Sequence, residues 1–315
     1  MNPDIKSLFK KYEREGCNYI FLVSNPISVF ISKMLIEQFN IDMKKVFVFS
    51  LRKTDARLIT KNYNVILSKR TDSIIGKLIW GSPQGKRILK KIPKTKFVLF
   101  TEWAYREAEI LINSKYCSEH VYLEMGQHSY MNIPTFSPKK LSFKNRFLKN
   151  WKNRLSPIDE FAHYYFRDDA SFFVGMMEDV FPKIENEKKY ILKNFKDLKK
   201  FYNPKLTKNK VIGLTCASRR IQRSDWKNML IRLFENLPAG AIVKAHPSFY
   251  SSESIFKDFI DTFNEVSKGD FELCPNDVIL ELEMLFEKKV FYGSQTALSK
   301  YAEFSGSKFN LLTLY

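Results

Sequence analysis

The sequence predicts an α/β fold made of two Rossmann-like domains that face a central cleft. Short apolar runs rich in β-branched residues alternate with helical stretches in both halves of the chain, which is typical of parallel sheets. The first run, residues 19–23, ends at a tight polar turn and is followed by apolar residues at helical spacing. A second alternating block begins at Val211, after a Lys-rich stretch.

The N-terminal half contains five strand-like runs with helical stretches between several of them. The runs are residues 19–23, 46–49, 65–67, 97–100 and 121–123. Pro26 ends the first run, and either Asn25 or Ser28 is suited to cap the helix that follows over residues 27–39. Residues 104–111 predict a further helix. A strand, a tight turn and a helix in this order form the opening unit of a doubly wound sheet.

Two basic segments separate the alternating blocks. Residues 139–154 contain seven Lys or Arg and no acidic residue, with aromatic residues between them. This pattern fits attachment to an anionic membrane surface and also fits a solvated basic face. Residues 183–210 hold ten Lys against three acidic residues. The predicted organisation is therefore an N-terminal domain over 1–182, a Lys-rich connection over 183–210 and a C-terminal domain over 211–315.

The C-terminal half repeats the alternation. The expected strands are residues 211–215, 241–243, 271–273 and 290–292, and the expected helices are residues 225–235, 253–266, 277–286 and 296–304. An apolar segment over residues 309–314 follows the last of these helices.

Bulk properties restrict the class of protein. The chain has 315 residues, of which 44% are hydrophobic, so it can bury a large core. Its net charge of +18 indicates an acidic partner, which is a nucleotide, a nucleic acid or an anionic membrane. The four cysteines form no CxxC pair, which argues against a structural zinc site and fits a reducing cytoplasm. The longest apolar stretch, residues 19–36, is interrupted by Asn25 and Pro26, so we expect a cytoplasmic or peripheral protein.

The strongest candidate for chemistry is a His-Pro pair at the end of a predicted strand. His246 follows the apolar run 241–243, and Pro247 stops the strand because it has no N–H for a ladder. Ligands bind at the carboxyl edge of open α/β sheets, where a histidine contacts a phosphate or donates a proton. Taken alone, the same residues also fit a histidine that only caps a loop.

A second candidate is a carboxylate at the end of the last clear strand of the N-terminal half. Glu124 ends that run and Gly126 permits a sharp turn after it. A carboxylate in this place is suited to act as a general base, although it also fits an ordinary acid on a surface turn. His128 is a weaker candidate nearby.

Further polar residues follow the other strands of the C-terminal half. Helix N-termini bind phosphate through free N–H groups, and hydroxyl or guanidinium groups add donors. The alternatives are N-capping by Ser294 or Asp277 and solvation of the arginines. The candidates for phosphate or ribose binding are Ser218, Arg219, Arg220, Asp277, Ser294, Gln295 and Thr296.

Together these motifs resemble those of bacterial sialyltransferases of GT-B fold, a group that includes lipooligosaccharide sialyltransferases, capsular polysialyltransferases and marine multifunctional sialyltransferases. That family has an acidic-acidic-Gly motif, a His-Pro motif, a Pro-x-Glu stretch and a Ser/Thr pair in this order. The opening stretch 21–26 resembles the first strand and turn of the lipooligosaccharide group. The similar stretches here are Glu124-Met125-Gly126, His246-Pro247, Pro275-Asn276-Asp277 and Ser294-Gln295-Thr296.

The resemblance implies an inverting, metal-independent transferase that uses a CMP-sialic acid or a related CMP-nonulosonate as donor and needs no cofactor. Glu124 would deprotonate the acceptor, and His246 would contact the CMP phosphate. Asp277 would hold the ribose or cytosine side, and Ser294 with Thr296 the phosphate. The chain departs from the family motifs at three places. Met125 replaces the second acid, Asp277 replaces a Glu, and a Gln separates the Ser/Thr pair.

Several alternatives stay open at this point. The donor sugar is sialic acid or another CMP-linked sugar such as Kdo, legionaminic or pseudaminic acid. A rival from another class is a basic nucleic-acid-binding protein, although no helix-turn-helix, zinc or RNA-binding signature supports it. A third option is a non-catalytic scaffold at the membrane. The expected partners are a CMP-sugar donor, a glycan acceptor of lipooligosaccharide or capsule, and the anionic inner membrane through residues 139–154. Nucleic acid is not expected, and the sequence leaves the oligomeric state open.

Overall fold

The structure, a computed structural model, divides into two compact units, Met1–Asn194 and Phe195–Tyr315. They are called the N-terminal and C-terminal domains below. The boundary lies inside the stretch 183–210 that was expected to be a connection. The structure describes residues 4–51, 54–66, 83–103, 106–133, 135–136, 166–192, 202–206, 210–218, 221–250, 252–294, 296 and 298–314.

The N-terminal domain is built on a seven-stranded parallel sheet. The helices described in it are α1 (Ile5–Arg14), α2 (Pro26–Gln38), α3 (Pro83–Lys91) and α4 (Arg106–Ile112). The strands of the sheet are β1 (Asn18–Val23), β2 (Val46–Leu51), β3 (Asn64–Ile66), β4 (Phe97–Thr101), β5 (Cys117–Leu123), β8 (Phe172–Gly175) and β9 (Lys189–Ile191). Two short strands, β6 (Thr135–Phe136) and β7 (Phe166–Arg167), pair separately.

The order of strands in this sheet is that of a Rossmann fold. It runs β3-β2-β1-β4-β5-β8-β9, and every neighbouring pair is parallel. β1 and β4 lie at the centre and are almost wholly buried, because their residues are apolar on both faces. The order reverses between β1 and β4, and this reversal marks the place where such sheets usually bind ligands.

The C-terminal domain repeats the same order with five strands. Its strands are β10 (Val211–Leu214), β11 (Ile242–Lys244), β12 (Glu272–Leu273), β13 (Val290–Gly293) and β14 (Lys308–Leu311), arranged as β12-β11-β10-β13-β14. All neighbours are parallel, and the order reverses between β10 and β13. The helices described in it are α5 (Trp226–Phe234), α6 (Glu253–Ser267), α7 (Leu280–Phe286) and α8 (Leu298–Ser305).

Local sequence explains where the key helices begin. The side chain of Asn25 accepts hydrogen bonds from the N–H groups of Ile27 and Ser28 at 2.8 and 3.0 Å, so Asn25 caps α2. Pro26 follows at the first helical position, where its missing N–H costs nothing. In α6, Ser252 plays the same part for the N–H of Ile255 at 3.2 Å. Of the two candidate caps for α2, the structure selects Asn25.

Each domain has its own apolar core. In the C-terminal domain, Trp226, Phe249 and Phe259 are buried between the sheet and helices α5 and α6. In the N-terminal domain, Tyr122 and Phe173 belong to a buried aromatic cluster beside β5 and β8. The predicted α/β class with two Rossmann-like domains is confirmed. The cleft between them stays a prediction.

Candidate functional site

In the C-terminal domain, three neighbouring strands end at the same edge of the sheet. The last residues of β10, β11 and β13, which are Leu214, Lys244 and Gly293, are paired in register. Because the strands are parallel, the residues after them meet at the carboxyl edge, on both sides of the order reversal. These edge residues are Thr215, Ser218, His246, Pro247, Ser248 and Ser294.

A network of hydrogen bonds fixes His246 at this edge. Its backbone N–H donates to Thr215 Oγ1 over 2.9 Å. The N–H of Ser248 donates to His246 Nδ1 over 3.1 Å, and Ser248 Oγ lies 2.9 Å from the same nitrogen. Ser218 donates both its N–H, over 2.8 Å, and its O–H, over 2.9 Å, to Ser248 Oγ. The imidazole is therefore joined to the turn that follows β10.

The same network determines the tautomer of the His246 ring. A backbone N–H only donates, so Nδ1 of His246 accepts from Ser248. Ser248 Oγ accepts two bonds from Ser218, which directs its own proton towards Nδ1. In the neutral ring the proton then resides on Nε2. Nε2–H is a donor suited to a phosphate oxygen, and the half-buried ring carries it at the strand end.

Asp277 lies after β12, and its carboxylate forms an ion pair with a lysine. Lys205 Nζ forms an ion pair with Asp277 Oδ2, and this hydrogen bond lowers the pKa of the Asp277 carboxyl. The side chain of Asp277 is 53% exposed. The N-cap of α7 is Ile279, so capping by Asp277 is not its role here. A ribose hydroxyl that bound Asp277 would have to share or displace Lys205.

Lys244 holds the turn that carries Asp277. Its Nζ donates to the carbonyl oxygens of Pro275 and Asn276 over 2.6 and 2.9 Å. Burial lowers the pKa of Lys244, because desolvation opposes the charged amine. The turn after β12 is thus tied to the strand that leads to His246.

The hydroxyls after β13 have different environments. Ser294 is 8% exposed, directly after Gly293. Thr296 Oγ1 accepts from the N–H of Leu298, the first residue of α8, over 3.1 Å. The hydroxyl of Thr296 therefore caps this helix start, a role that was expected of Ser294 as the alternative to phosphate binding. The candidates Arg219, Arg220 and Gln295 lie outside the described residues.

In the N-terminal domain, Glu124 follows β5 and is completely buried. Its side chain is 0% exposed. Oε1 accepts from the hydroxyl of Tyr130, and Oε2 accepts from the N–H of Met176 over 2.7 Å. A Cβ at position 175 would lie 3.1 Å from Oε2 and 2.5 Å from Val180, so Gly175 permits this close packing. An acceptor hydroxyl reaches Glu124 only if the surrounding residues move.

The turn after Glu124 has a backbone conformation that requires glycine. Gly126 has a φ of +89°, in the region that L side chains rarely adopt. A 3-10 turn over Gln127–Tyr130 follows, and within it the ring of His128 packs edge-to-face on Trp103. This turn returns Tyr130 to the carboxylate of Glu124.

A second buried carboxylate at this edge was missed from the sequence. Glu102 follows β4, is 0% exposed, and lies at the order reversal of the N-terminal sheet. It accepts from the N–H of Ser24 over 2.5 Å, from the N–H of Asn25 over 3.1 Å, and from the hydroxyls of Ser24 and Ser28. A signal existed, because Glu102 lies just after the apolar run 97–100, separated from it by Thr101, much as Glu124 follows the run 121–123. The motif comparison covers only Glu124 and Met125, and so it gave a single carboxylate for this edge.

Glu102 occupies the place where a Rossmann-like domain normally receives a phosphate. The N–H groups of Ser24 and Asn25, in the turn after β1, would otherwise face an anionic ligand. Here the carboxylate of Glu102 accepts from them, and the side chain of Asn25 accepts from the first N–H groups of α2. A phosphate at this order reversal would therefore compete with Glu102 and Asn25, whereas the C-terminal edge presents hydroxyls and an imidazole.

Among the described residues, no helix is both long and apolar enough to cross a membrane. Within the same part of the chain, no group of three or more His, Cys, Asp or Glu residues is arranged to hold a metal ion. The basic stretch 139–154, expected to contact a membrane, lies outside the described residues.

Comparison with known proteins gives matches in solved structures only. No protein-family model matches the chain, and no curated protein does. A Photobacterium 2,6-sialyltransferase, in complex with CMP and lactose, matches at a TM-score of 0.49 and 9% identity, covering 89% of this chain and 68% of that one. An α2,3-sialyltransferase of Photobacterium phosphoreum matches at 0.47 and 13%, covering 93% and 89%. A UDP-N-acetylglucosamine 2-epimerase of Rickettsia bellii matches at 0.48 and 11%, covering 93% and 78%. Identities this low give this chain neither a substrate nor a residue role.

Proposed function

We propose that the chain is an inverting glycosyltransferase that moves sialic acid or a related nonulosonic acid from a CMP donor to a bacterial surface glycan. The observation that carries the proposal is the network at the C-terminal edge. It joins His246 to Thr215, Ser248 and Ser218 and fixes Nε2–H as the donor of the ring.

The chemistry of a CMP-linked sugar fits this edge. Breaking the bond between the anomeric carbon and the phosphate oxygen leaves negative charge on the phosphate of CMP. Preorganised donors stabilise such charge without reorganising during the reaction. His246 Nε2–H supplies one donor, and Ser294 and Thr296 follow strand β13, on the other side of β10. Asp277, after β12, is placed to receive the ribose hydroxyls once Lys205 yields.

The acceptor is assigned to the N-terminal domain. Glu124 is proposed as the base that takes the proton from the acceptor hydroxyl as it attacks the anomeric carbon on the face opposite CMP. This attack inverts the anomeric configuration through an oxocarbenium-like transition state. The filled order reversal around Glu102 supports this division of labour, because it leaves phosphate binding to the C-terminal domain.

The proposed donor is a CMP-linked acidic sugar. Sialic, legionaminic and pseudaminic acids and Kdo all carry a carboxylate and are all activated with CMP. The net charge of +18 suits each of these anionic donors equally. The acceptor is proposed to be lipooligosaccharide or capsule by the motif resemblance alone.

The test is a panel of CMP-sugars with purified full-length protein. We expect CMP to bind, UMP and GMP to bind at least tenfold more weakly, and at least one CMP-nonulosonate to be hydrolysed slowly or transferred to a glycan acceptor. Binding of single-stranded nucleic acid that weakens steeply with salt, without CMP binding, would instead identify a nucleic-acid-binding protein. Absence of both CMP binding and turnover would overturn the proposal.

Attachment to the inner membrane is proposed for residues 139–154. Their seven Lys or Arg are expected to bind vesicles that contain anionic lipid and to release them at high salt. Replacing these residues with Gln should abolish vesicle binding and leave turnover on a soluble acceptor unchanged. Binding that persists in that variant would contradict the assignment.

A further inference from the structure

Glu102 and Asn25 form a fully bonded unit at the end of β1. Glu102 is 0% exposed and accepts three hydrogen bonds from Ser24 and Asn25 in the turn after β1 and one from the hydroxyl of Ser28 in α2. One of these donors is the backbone N–H of Asn25, which fixes the position of that residue. The side-chain oxygen of Asn25 is used to cap α2, at 2.8 Å from the N–H of Ile27. Only its side-chain amide group is left to contact another element.

That amide group contacts the motif that contains the proposed base. Asn25 Nδ2 donates to the carbonyl oxygen of Met125 over 3.0 Å, across a sequence separation of 100 residues. On the other side, the N–H of Met125 donates to Ser129 Oγ over 2.9 Å. Met125 lies between Glu124 and Gly126, which has a positive φ. Both the N–H and the carbonyl group of Met125 are therefore held by hydrogen bonds. The turn after β5 is thus held from β1 and β4.

We propose that Asn25, held by Glu102, is a positioning residue for Glu124. The inference rests on the proposed function, since it assumes that Glu124 is the base. Glu102 fixes Asn25, Asn25 fixes the Met125 carbonyl, and the Met125 peptide sets the direction in which Glu124 leaves β5. The polar turn 24–26, whose sequence resembles the lipooligosaccharide group, thereby gains a role in acceptor activation instead of phosphate binding.

Capping of α2 alone does not explain both contacts of the Asn25 side chain. A helix cap needs only the side-chain oxygen of Asn25, and serine or aspartate supplies it equally well. The contact with Met125 uses the amide nitrogen, which neither substitute has. Asn25→Ser and Asn25→Asp therefore separate capping from positioning.

The experiment measures turnover and CMP binding of Asn25→Ser in the full-length protein. Ser keeps a cap for α2 and the backbone N–H for Glu102, but it has no donor that reaches Met125. We expect kcat to fall roughly 10- to 100-fold, as for a misplacement of a reacting group by about 1 Å. The CMP dissociation constant and the donor KM should stay within about twofold. Asn25→Asp should lose kcat in the same way, and it replaces Asn25→Ser if that variant does not fold.

A double-mutant cycle distinguishes positioning from a general structural effect. If Asn25 acts through Glu124, then adding Asn25→Ser to Glu124→Gln should lower kcat no further. The matched control is Glu119→Gln. Glu119 lies on β5, the strand that Glu124 follows, and accepts from Lys11, Tyr12 and Ser171, so its replacement disturbs a bonded carboxylate outside the turn. It should lower stability and leave kcat unchanged.

The remaining outcomes each have a definite meaning. If the wild type turns over and Asn25→Ser has the same kcat, the positioning role is overturned and the proposed function stays intact. A loss of kcat that is equally large with Glu124 present and in the Glu124→Gln background also overturns it, because the effect then does not pass through Glu124. A wild-type protein that transfers no CMP-sugar overturns the function and the inference together.

Discussion

The two domains share a strand order but differ in what fills the edge where that order reverses. In the N-terminal domain, a buried carboxylate, Glu102, accepts from the backbone N–H groups of Ser24 and Asn25 in the turn before α2. In the C-terminal domain, the equivalent edge carries His246 and the hydroxyls of Thr215 and Ser294. The same topology thus holds an internal carboxylate at this edge in one domain and an imidazole with hydroxyls in the other.

This difference teaches that the role of a Rossmann-like domain depends on its strand-end residues. An internal carboxylate at a helix N-terminus satisfies the donors that a phosphate would use. Hydroxyls and an imidazole supply donors of the kind that an anionic ligand needs. Fold alone does not separate the two cases, in line with the general rule that function resides in sites.

The largest effect is expected for the proposed base. Glu124→Gln keeps the shape of the side chain but removes its ability to take a proton. We expect kcat for transfer to fall about 10²- to 10⁴-fold while CMP affinity changes less than twofold. Steady-state kinetics and calorimetry on the same preparation measure both values. Transfer at the wild-type rate would show that Glu124 is a structural carboxylate held by Tyr130 and Met176.

The next effect concerns the imidazole of the C-terminal edge. His246→Ala removes the Nε2–H donor, and a charge-assisted hydrogen bond contributes about 1.5–3 kcal/mol. CMP should therefore bind roughly 10- to 100-fold more weakly, as calorimetry would show. Ser24→Ala is the matched control, since Ser24 follows β1 in the N-terminal domain and donates to Glu102. The contrast fails if Ser24→Ala weakens CMP binding as much as His246→Ala does.

Acid should destabilise the N-terminal domain through a buried histidine. Desolvation lowers the pKa of His120 from 6.5 to about 4. The unfolded chain takes a proton at His120 near pH 6.5 but the folded chain only near pH 4, so stability falls as the pH drops through this window. The loss reaches at most about 3 kcal/mol. The carboxyl pKa values of Glu119 and Asp169 are lowered from 4.5 and 3.8. The stability that these two groups contribute is therefore lost only at pH values below that range.

Chemical unfolding between pH 7 and 4.5 measures this effect. The wild type should lose stability over the range, and His120→Gln should lose markedly less. Between pH 7 and pH 5, the hydrogen-exchange protection factors, which correct for the intrinsic exchange rate, should fall more in β5 and β8 than in β10 and β11. Equal pH dependence in the wild type and in His120→Gln would contradict the assignment.

The smallest effect is expected at the lysine on Asp277. Lys205 and Asp277 are both about half exposed, so their ion pair is worth no more than about 1 kcal/mol. If ribose replaces Lys205 on Asp277, then Lys205→Met should strengthen CMP binding by up to about fivefold. Asp277→Asn should weaken it. Weaker binding in Lys205→Met would mean that the lysine contacts the nucleotide itself.

Much of the fold could be predicted because its signals are local. The apolar runs that form β1, β4 and β13 are continuous, and the Asn-Pro pair at 25–26 marks the start of α2. β8 was not assigned, since its four residues lie in the aromatic-rich stretch 155–182 that has no clear period. Its partner is β5, some 50 residues earlier, and such pairing is decided by tertiary packing.

The sequence predicted which site residues follow the strand ends, but it did not predict the contacts between them. His246 lies at a strand end as expected, and its bonds to Ser218 and Thr215 depend on register between strands. The lysine on Asp277 comes from 72 residues earlier, so no local pattern indicates it. Glu102 resembles a surface acid until β4 is placed at the centre of the sheet.

The most direct test of the central claim is hydrogen exchange of the intact protein with and without CMP. The account predicts slower exchange with CMP at residues 215–218 and 246–250. It predicts no change at residues 24–28, where Glu102 and Asn25 already accept from the backbone N–H groups. Protection by CMP at residues 24–28, with none at the C-terminal edge, would contradict it.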